Sequence, residues 1–367
     1  MNILFYYTSN KRTISIESVI IAFRNQGHCV TLLTQSGKEE LHEELEKNNI
    51  PTHTHVVEKS NSIFYYMNHL LYLIKYCKLN EIDIVYSHLQ QANIVSVFAQ
   101  FFCKSKFYIC RHHSSVNGAE KNFNQSLFDK IINKFSKLII VPSLAVYRQV
   151  NEVEGVNKNK IKLIHYGYNF LKYPLPNKDE GEKIRNTFPC KLLLVKVARL
   201  VSGKRYEILF DVLKELVIKR KLDIKLIVIS EGPLFNDLQN YVKVSKLDNN
   251  IFLVGNKSNV IDYLYSADAI PLLSEAEASN SVIKEAGLVK KCVLICKNVG
   301  DFDDYITDGV SGLFMDRLDP ASDLEEHLVN LYNQKIDKQK LGMNLYESVM
   351  NKFSIDKVIT DYNVLNQ

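Results

Sequence analysis

At 367 residues the chain is too long for one typical core and suits two domains, each able to bury a sizeable interior. Its 46% hydrophobic and 24% charged residues are those of an ordinary folded protein, and a net charge of +5 with no recognised reading motif argues against nucleic acid as a partner. There is no run of 18 uncharged apolar residues and no basic stretch ahead of an apolar start, so neither a membrane span nor a cleaved signal is expected.

In chain order, apolar runs of strand length fall at residues 3–7, 30–33, 84–86, 107–110 and 138–141, separated by helical periodicity such as that around 18–24. A second series follows at 192–197, 225–229, 251–254, 269–273 and 293–296. Strands alternating with helices predict parallel sheets covered by helices, and the repetition predicts two doubly wound α/β domains. The junction is expected near 168–177, where Pro174 and Pro176 break any periodic pattern. The seven cysteines are scattered without metal-ligand spacing and read as reduced core residues of a cytoplasmic protein.

The halves differ in charge. Residues 1–172 hold 20 Lys and Arg against 13 Asp and Glu, and residues 173–367 hold 26 against 28. The first half therefore suits an anionic surface, and it also holds nine of the ten histidines. Within it, helical spacing puts Lys130, Lys134 and Lys137 opposite Phe128, Ile131, Ile132 and Phe135. Such a face fits an anionic membrane surface and fits equally an ordinary helix packed on its own sheet. Tyr65, His69, Tyr72 and Tyr76 also recur at helical spacing, a pattern that favours packing over lipid contact.

The pattern closest to chemistry is a pair of glutamates, Glu277 and Glu285, where the strand 268–273 gives way to a helix. Glu277 falls in the turn and Glu285 about two turns into the helix, so both can face a ligand lying across the helix N-terminus. Unpaired N–H groups there suit an anion such as a diphosphate, and the carboxylates accept hydrogen bonds from hydroxyls. Together they describe a nucleotide-sugar. Two glutamates alone are more often solvated residues.

The surrounding order of residues is more specific. Ser274-Glu-Ala-Glu-Ala-Ser-Asn-Ser-Val-Ile-Lys-Glu-Ala-Gly287, then Cys292-Val-Leu-Ile-Cys296, Val299-Gly300 and Asp308-Gly309-Val-Ser-Gly312, resembles the donor domain of glycosyltransferase family four. Val197-Ala-Arg199-Leu-Val-Ser-Gly-Lys204, Ser230-Glu-Gly232-Pro, Phe252-Leu-Val254-Gly255 and Phe353-Ser-Ile-Asp-Lys-Val-Ile-Thr-Asp-Tyr362 are similar to further segments of that family. The resemblance is dense from Lys191 onward and looser before Tyr168. It implies a GT-B fold, two Rossmann-like doubly wound parallel-sheet domains facing across a cleft. Residues 1–170 would be the acceptor side, 171–350 the donor-binding domain, and 351–367 a closing helix returning to the first.

The resemblance also implies roles. Arg199 and Lys204 would hold the donor diphosphate with the backbone around Asn280, Ser281 and Val282. Glu277 would contact the transferred sugar and Glu285 the ribose, with Gly232, Val254 and Gly255 beside the nucleoside. His113, in Arg111-His112-His113, would face the donor sugar; extended neighbours point to opposite sides, so only one of His112 and His113 faces it. His88 is a lesser candidate and His165 reads as structural. In this family the leaving phosphate is thought to take the acceptor's proton, so no protein nucleophile is assigned; an inverting reaction would need a base, which His113 could supply.

Departures from the pattern are a first loop, residues 7–16, without glycine, and Ser230, Ala278 and Asn280 at positions usually glycine. The expected activity is retaining transfer from a UDP- or GDP-sugar, with no metal or other cofactor, to a glycan or polyprenyl-linked acceptor of a bacterial-type surface polysaccharide. The site would be cytoplasmic or peripheral on the inner face of the membrane. The alternatives are a non-catalytic subunit of the same architecture, a GT-B sugar-nucleotide epimerase, and a nicotinamide oxidoreductase, which the glycine-free first loop disfavours.

Overall fold

The computed structural model describes residues 1–58, 62–112, 123–277 and 279–366, with the backbone alone at 123–125. Two compact units result: Met1–Phe170 together with Phe353–Gln367, and Leu171–Lys352.

In the first unit the strands are β1 (Asn2–Tyr7), β2 (Cys29–Thr34), β3 (Thr52–Thr54), β4 (Ile84–His88), β5 (Lys106–Cys110), β6 (Ile139–Val141) and β7 (Ile161–Leu163). They form one parallel sheet in the order β3-β2-β1-β4-β5-β6-β7. β1 shows why its sequence is an unbroken apolar run. Ile3, Phe5 and Tyr7 enter the core on one face, Leu4 and Tyr6 the core on the other, and helices cover both. The helix Ile355–Asn366 joins the first of these cores: Tyr362 packs edge-on against Phe23 and Tyr86, with ring centroids at 5.8 and 5.4 Å. Tyr86 donates a hydrogen bond to Asn366 Oδ1 at 2.7 Å, and Tyr108 donates to the Leu365 carbonyl at 3.0 Å.

The second unit contains β8 (Leu192–Val197), β9 (Ile224–Ile229), β10 (Ile251–Leu253), β11 (Ala269–Leu272), β12 (Cys292–Cys296) and β13 (Leu313–Met315), parallel in the order β10-β9-β8-β11-β12-β13. In both units the strand order reverses next to the first strand, and the loops that follow the strands gather at their C-terminal ends. In a doubly wound sheet that is where ligands bind.

The basic helix packs on the core of its own unit through Phe128, Ile131 and Ile132, the second of its two readings, and differs from expectation at its end. It runs Phe123–Phe135, so Lys137 lies beyond its end, and Phe135 is half-exposed against Phe98 and Phe101 instead of buried. Lys130 and Lys134 are exposed, while Tyr65 and His69 are buried and Tyr72 stacks on His55 at 3.8 Å. Among the described residues no helix is long and apolar enough to cross a membrane.

Candidate active site

After β8, Arg199 stands exposed and makes no ion pair among the described residues. A single 3-10 turn, Ser202–Lys204, then presents Lys204, whose ammonium pairs with the Glu277 carboxylate. The turn is held from below. Lys196, fully buried inside β8, donates from Nζ to the Lys204 carbonyl at 2.8 Å and lies 4.4 Å from the Tyr206 ring centre. Burial pushes the Lys196 ammonium down to about 7. Sequence reading passed over this residue; the signal was a lysine in the middle of an otherwise apolar strand.

The segment after β11 reaches across to the same turn. The Glu275 N–H donates to the Gly203 carbonyl at 3.0 Å, and Arg205 Nε donates to the Glu275 carboxylate at 3.0 Å. Glu277 then packs on the turn after β12. A Cβ added to Gly300 would stand 2.8 Å from Glu277 Cβ and 3.2 Å from its carbonyl oxygen, and Gly300 has φ +59°. Glycine is what allows that approach.

Asn280 is extended, at φ −89° and ψ 118°, and caps the helix Ser281–Leu288 by accepting the Ile283 N–H at 3.2 Å. It replaces glycine as a cap, not by adopting a left-handed backbone. Ser281 and Val282 open the helix, where N–H groups lack intrahelical acceptors and the partial charge is positive. Glu285 is one turn further on, not the two turns that the sequence suggested, and half-buried. Burial raises its pKa, with a hydrogen bond from Ser281 and the Lys284 charge opposing the rise. Glu285 in turn helps raise the pKa of Tyr173, after the larger effect of that phenol's own burial. Tyr173 is a neighbour that sequence reading did not single out.

Gly232, Val254 and Gly255 belong to the turns after β9 and β10. The Val254 N–H donates to the Val228 carbonyl at 3.0 Å, and the Ser230 N–H to the Gly255 carbonyl at 3.1 Å. A Cβ on Gly232 would meet the Leu200 carbonyl oxygen at 2.5 Å, so this glycine lets the turns after β8 and β9 lie backbone against backbone. The structure thus gathers Arg199, Lys204, Gly232, Val254, Gly255, Glu277, Asn280, Ser281, Val282 and Glu285 on loops and one helix start at the C-terminal ends of one sheet. Among these side chains the direct ion pair is Lys204 with Glu277.

In the first unit His113 lies outside the described residues, as does Ala278 in the second. His112 is engaged on both ring nitrogens: Nε2 with His88 Nδ1 at 2.7 Å and Nδ1 with the Tyr166 hydroxyl at 2.7 Å. His88 is buried and held well below the usual imidazole range, first by burial and then by His112. A cavity of about 20 Å³, lined by Phe5, Ser15, His88, His112 and Tyr166 among others, has room for about one water molecule. Arg111 turns into the unit, bonded to Asn133 at 2.7 Å and Glu154 at 3.1 Å.

Comparison with known proteins bears on the family and the fold. The family model described as Glycosyltransferase Family 4 matches residues 14–170, and that described as Glycosyl transferases group 1 matches residues 177–348. N-acetyl-alpha-D-glucosaminyl L-malate synthase of Bacillus anthracis is 22% identical over 235 residues, 63% of this chain and 59% of that one. Poly(ribitol-phosphate) alpha-N-acetylglucosaminyltransferase of Staphylococcus aureus is 21% identical over 251 residues, 68% of this chain and 47% of that one. The chain thus spans about half to three-fifths of these relatives' length. The crystal structure of Anabaena HepE in complex with UDP superposes with a TM-score of 0.82 at 18% identity, covering 100% of this chain and 99% of that one, a likeness of fold. Two family models that together span most of the sequence, laid over two doubly wound parallel sheets, place the chain in glycosyltransferase family 4, with a GT-B fold.

Proposed function

We propose that the chain is a retaining glycosyltransferase that takes a sugar from a UDP- or GDP-sugar, without a metal, and places it on a glycan or polyprenyl-linked acceptor of a surface polysaccharide. The observation that carries the reading is the Lys204–Glu277 pair beside the N-terminus of the helix Ser281–Leu288. Alone, the two charges neutralise each other. A diphosphate brings acceptor oxygens that compete for the Lys204 ammonium, which frees the Glu277 carboxylate to take hydroxyls of the attached sugar. Arg199, exposed and without an ion pair among the described residues, adds a second cation, and the Ser281 and Val282 N–H groups a third source of positive charge. As the glycosidic bond lengthens, negative charge builds on the leaving phosphate oxygen, and these fixed groups stabilise it without reorganising. Glu285 suits the ribose hydroxyls. Both ring nitrogens of His112 are engaged with His88 and Tyr166, so no role toward the sugar is given to His112, and the one given to His113 rests on the family resemblance.

UDP bound to a protein of the same fold, and a relative named for transfer to poly(ribitol-phosphate), support the donor and the surface-polymer acceptor. The net positive first half supports an anionic, lipid-linked one. A thermal-shift screen against UDP, GDP, ADP, CMP and NAD in the presence of EDTA tests the donor site. One nucleoside diphosphate should raise the melting temperature, and Lys204→Ala should abolish the rise. No shift with any of them would favour a non-catalytic subunit.

A further inference from the structure

The helix Ser281–Leu288 buries Ile283, Ala286 and Gly287, and with them a residue that does not belong on an apolar face: Lys284, fully buried. Its Nζ lies 2.7 Å from Oδ2 of Asp301, also fully buried, 2.8 Å from Ser279 Oγ and 3.3 Å from the Asn280 carbonyl. Ser279 Oγ donates to the same Asp301 oxygen at 2.5 Å, and the Tyr305 ring centre is 5.2 Å from the ammonium. Asp301 Oδ1 is buried with no hydrogen-bond partner among the described residues.

An apolar side chain at 284 would fill the same space without removing a charge from water, and buried ion pairs are generally poor sources of stability compared with apolar packing. What the pair supplies is connection. Lys284 is on the helix, Ser279 and Asn280 on the segment that follows Glu277, and Asp301 on the turn whose Gly300 touches Glu277. Directional hydrogen bonds fix the separation of these three pieces, where apolar contacts would let them slide.

We propose that Lys284 and Asp301 are positioning residues for transfer: a buried ionic pin that holds the Glu277 segment against Gly300 and so aims the carboxylate at the donor site. Neither side chain touches the donor. The assignment of what Glu277 does rests on the function proposed above; the pin itself is a statement about geometry and is tested separately.

Removing one partner strands a buried charge, so Lys284→Met or Asp301→Asn alone can fail to fold. The double variant Lys284→Met/Asp301→Asn removes both charges, and the amide oxygen that replaces the carboxylate still accepts the Ser279 hydroxyl. Its crystal structure should show residues 275–280 displaced and Glu277 parted from Lys204. Release of nucleoside diphosphate from the nucleotide-sugars that carry the base identified by the thermal-shift screen should fall tenfold or more in kcat, with affinity for the nucleoside diphosphate kept within about threefold. A segment unmoved in that crystal structure overturns the pin whatever the chain catalyses, and so does a kcat within twofold of the parent. A parent chain that binds no nucleotide removes the proposed activity instead, and leaves the crystallographic comparison to decide the pin.

Discussion

Ser230 and Lys196 each stand where another residue would be at lower energy. Ser230 has φ +150°, a backbone angle that side chains rarely adopt, and its N–H is committed to Gly255. Such positions cost roughly 1–3 kcal/mol, offset in part by the extra freedom glycine has when unfolded. Ser230→Gly should therefore stabilise the second unit by about 1 kcal/mol in urea denaturation; a loss of stability would show that the serine side chain compensates. Lys196 can be tested through pH. Its folded pKa is lowered by burial to about 7 from the ordinary 10.5, with Cys296, Lys204, Glu207 and Glu277 acting on it more weakly. Below about pH 7 both folded and unfolded chains carry the proton, and the burial cost is complete. Between pH 7 and 10.5 the unfolded chain binds more protons, so stability rises with pH. Cys296, which burial pushes up to about 11, remains a thiol through that window. Lys196→Met should accordingly gain stability over the parent at pH 6, on the order of a few kcal/mol, and lose most of that gain by pH 10. A difference independent of pH would place the cost elsewhere.

At the scale of elements, the helix Ile355–Asn366 is a separable contribution to the first unit. Tyr362 is 7% exposed among Phe23, Tyr86, Val358 and Ile359. Tyr362→Ala should cost that unit about 3 kcal/mol by cavity formation. Calorimetry should show its transition moved down and that of the second unit unchanged; a joint shift of both would mean that they unfold as one. The central strands were legible because a parallel strand covered on both faces leaves an unbroken apolar run, as at 3–7 and 192–197. Thr52–Thr54 and Ile161–Leu163 were not, since the exposed polar residues His53, Thr54 and Lys162 leave no apolar run, and Leu313–Met315 was not singled out either. The basic helix was misread at its end because Phe135 looks like a core residue in sequence, yet it packs on the exposed rings of Phe98 and Phe101.

Over the whole molecule, two doubly wound sheets and the loops that carry the proposed site were readable from strand spacing and from the order of the motifs. The connections beneath that site were not. Neither the hydrogen bond from Lys196 to the Lys204 carbonyl nor the Lys284–Asp301 pair has a periodicity to betray it, and each became visible only when distant segments met. Phe353–Gln367 belong to the same unit as Met1–Phe170, although the whole of Leu171–Lys352 lies between them in sequence. On the ribosome the first unit is therefore made first and finished last. While the second unit is being synthesised, the apolar surface that will receive Val358, Ile359 and Tyr362 waits uncovered. Nascent-chain handling by chaperones should concentrate on that interval, and slow translation between the two parts would lengthen the exposure.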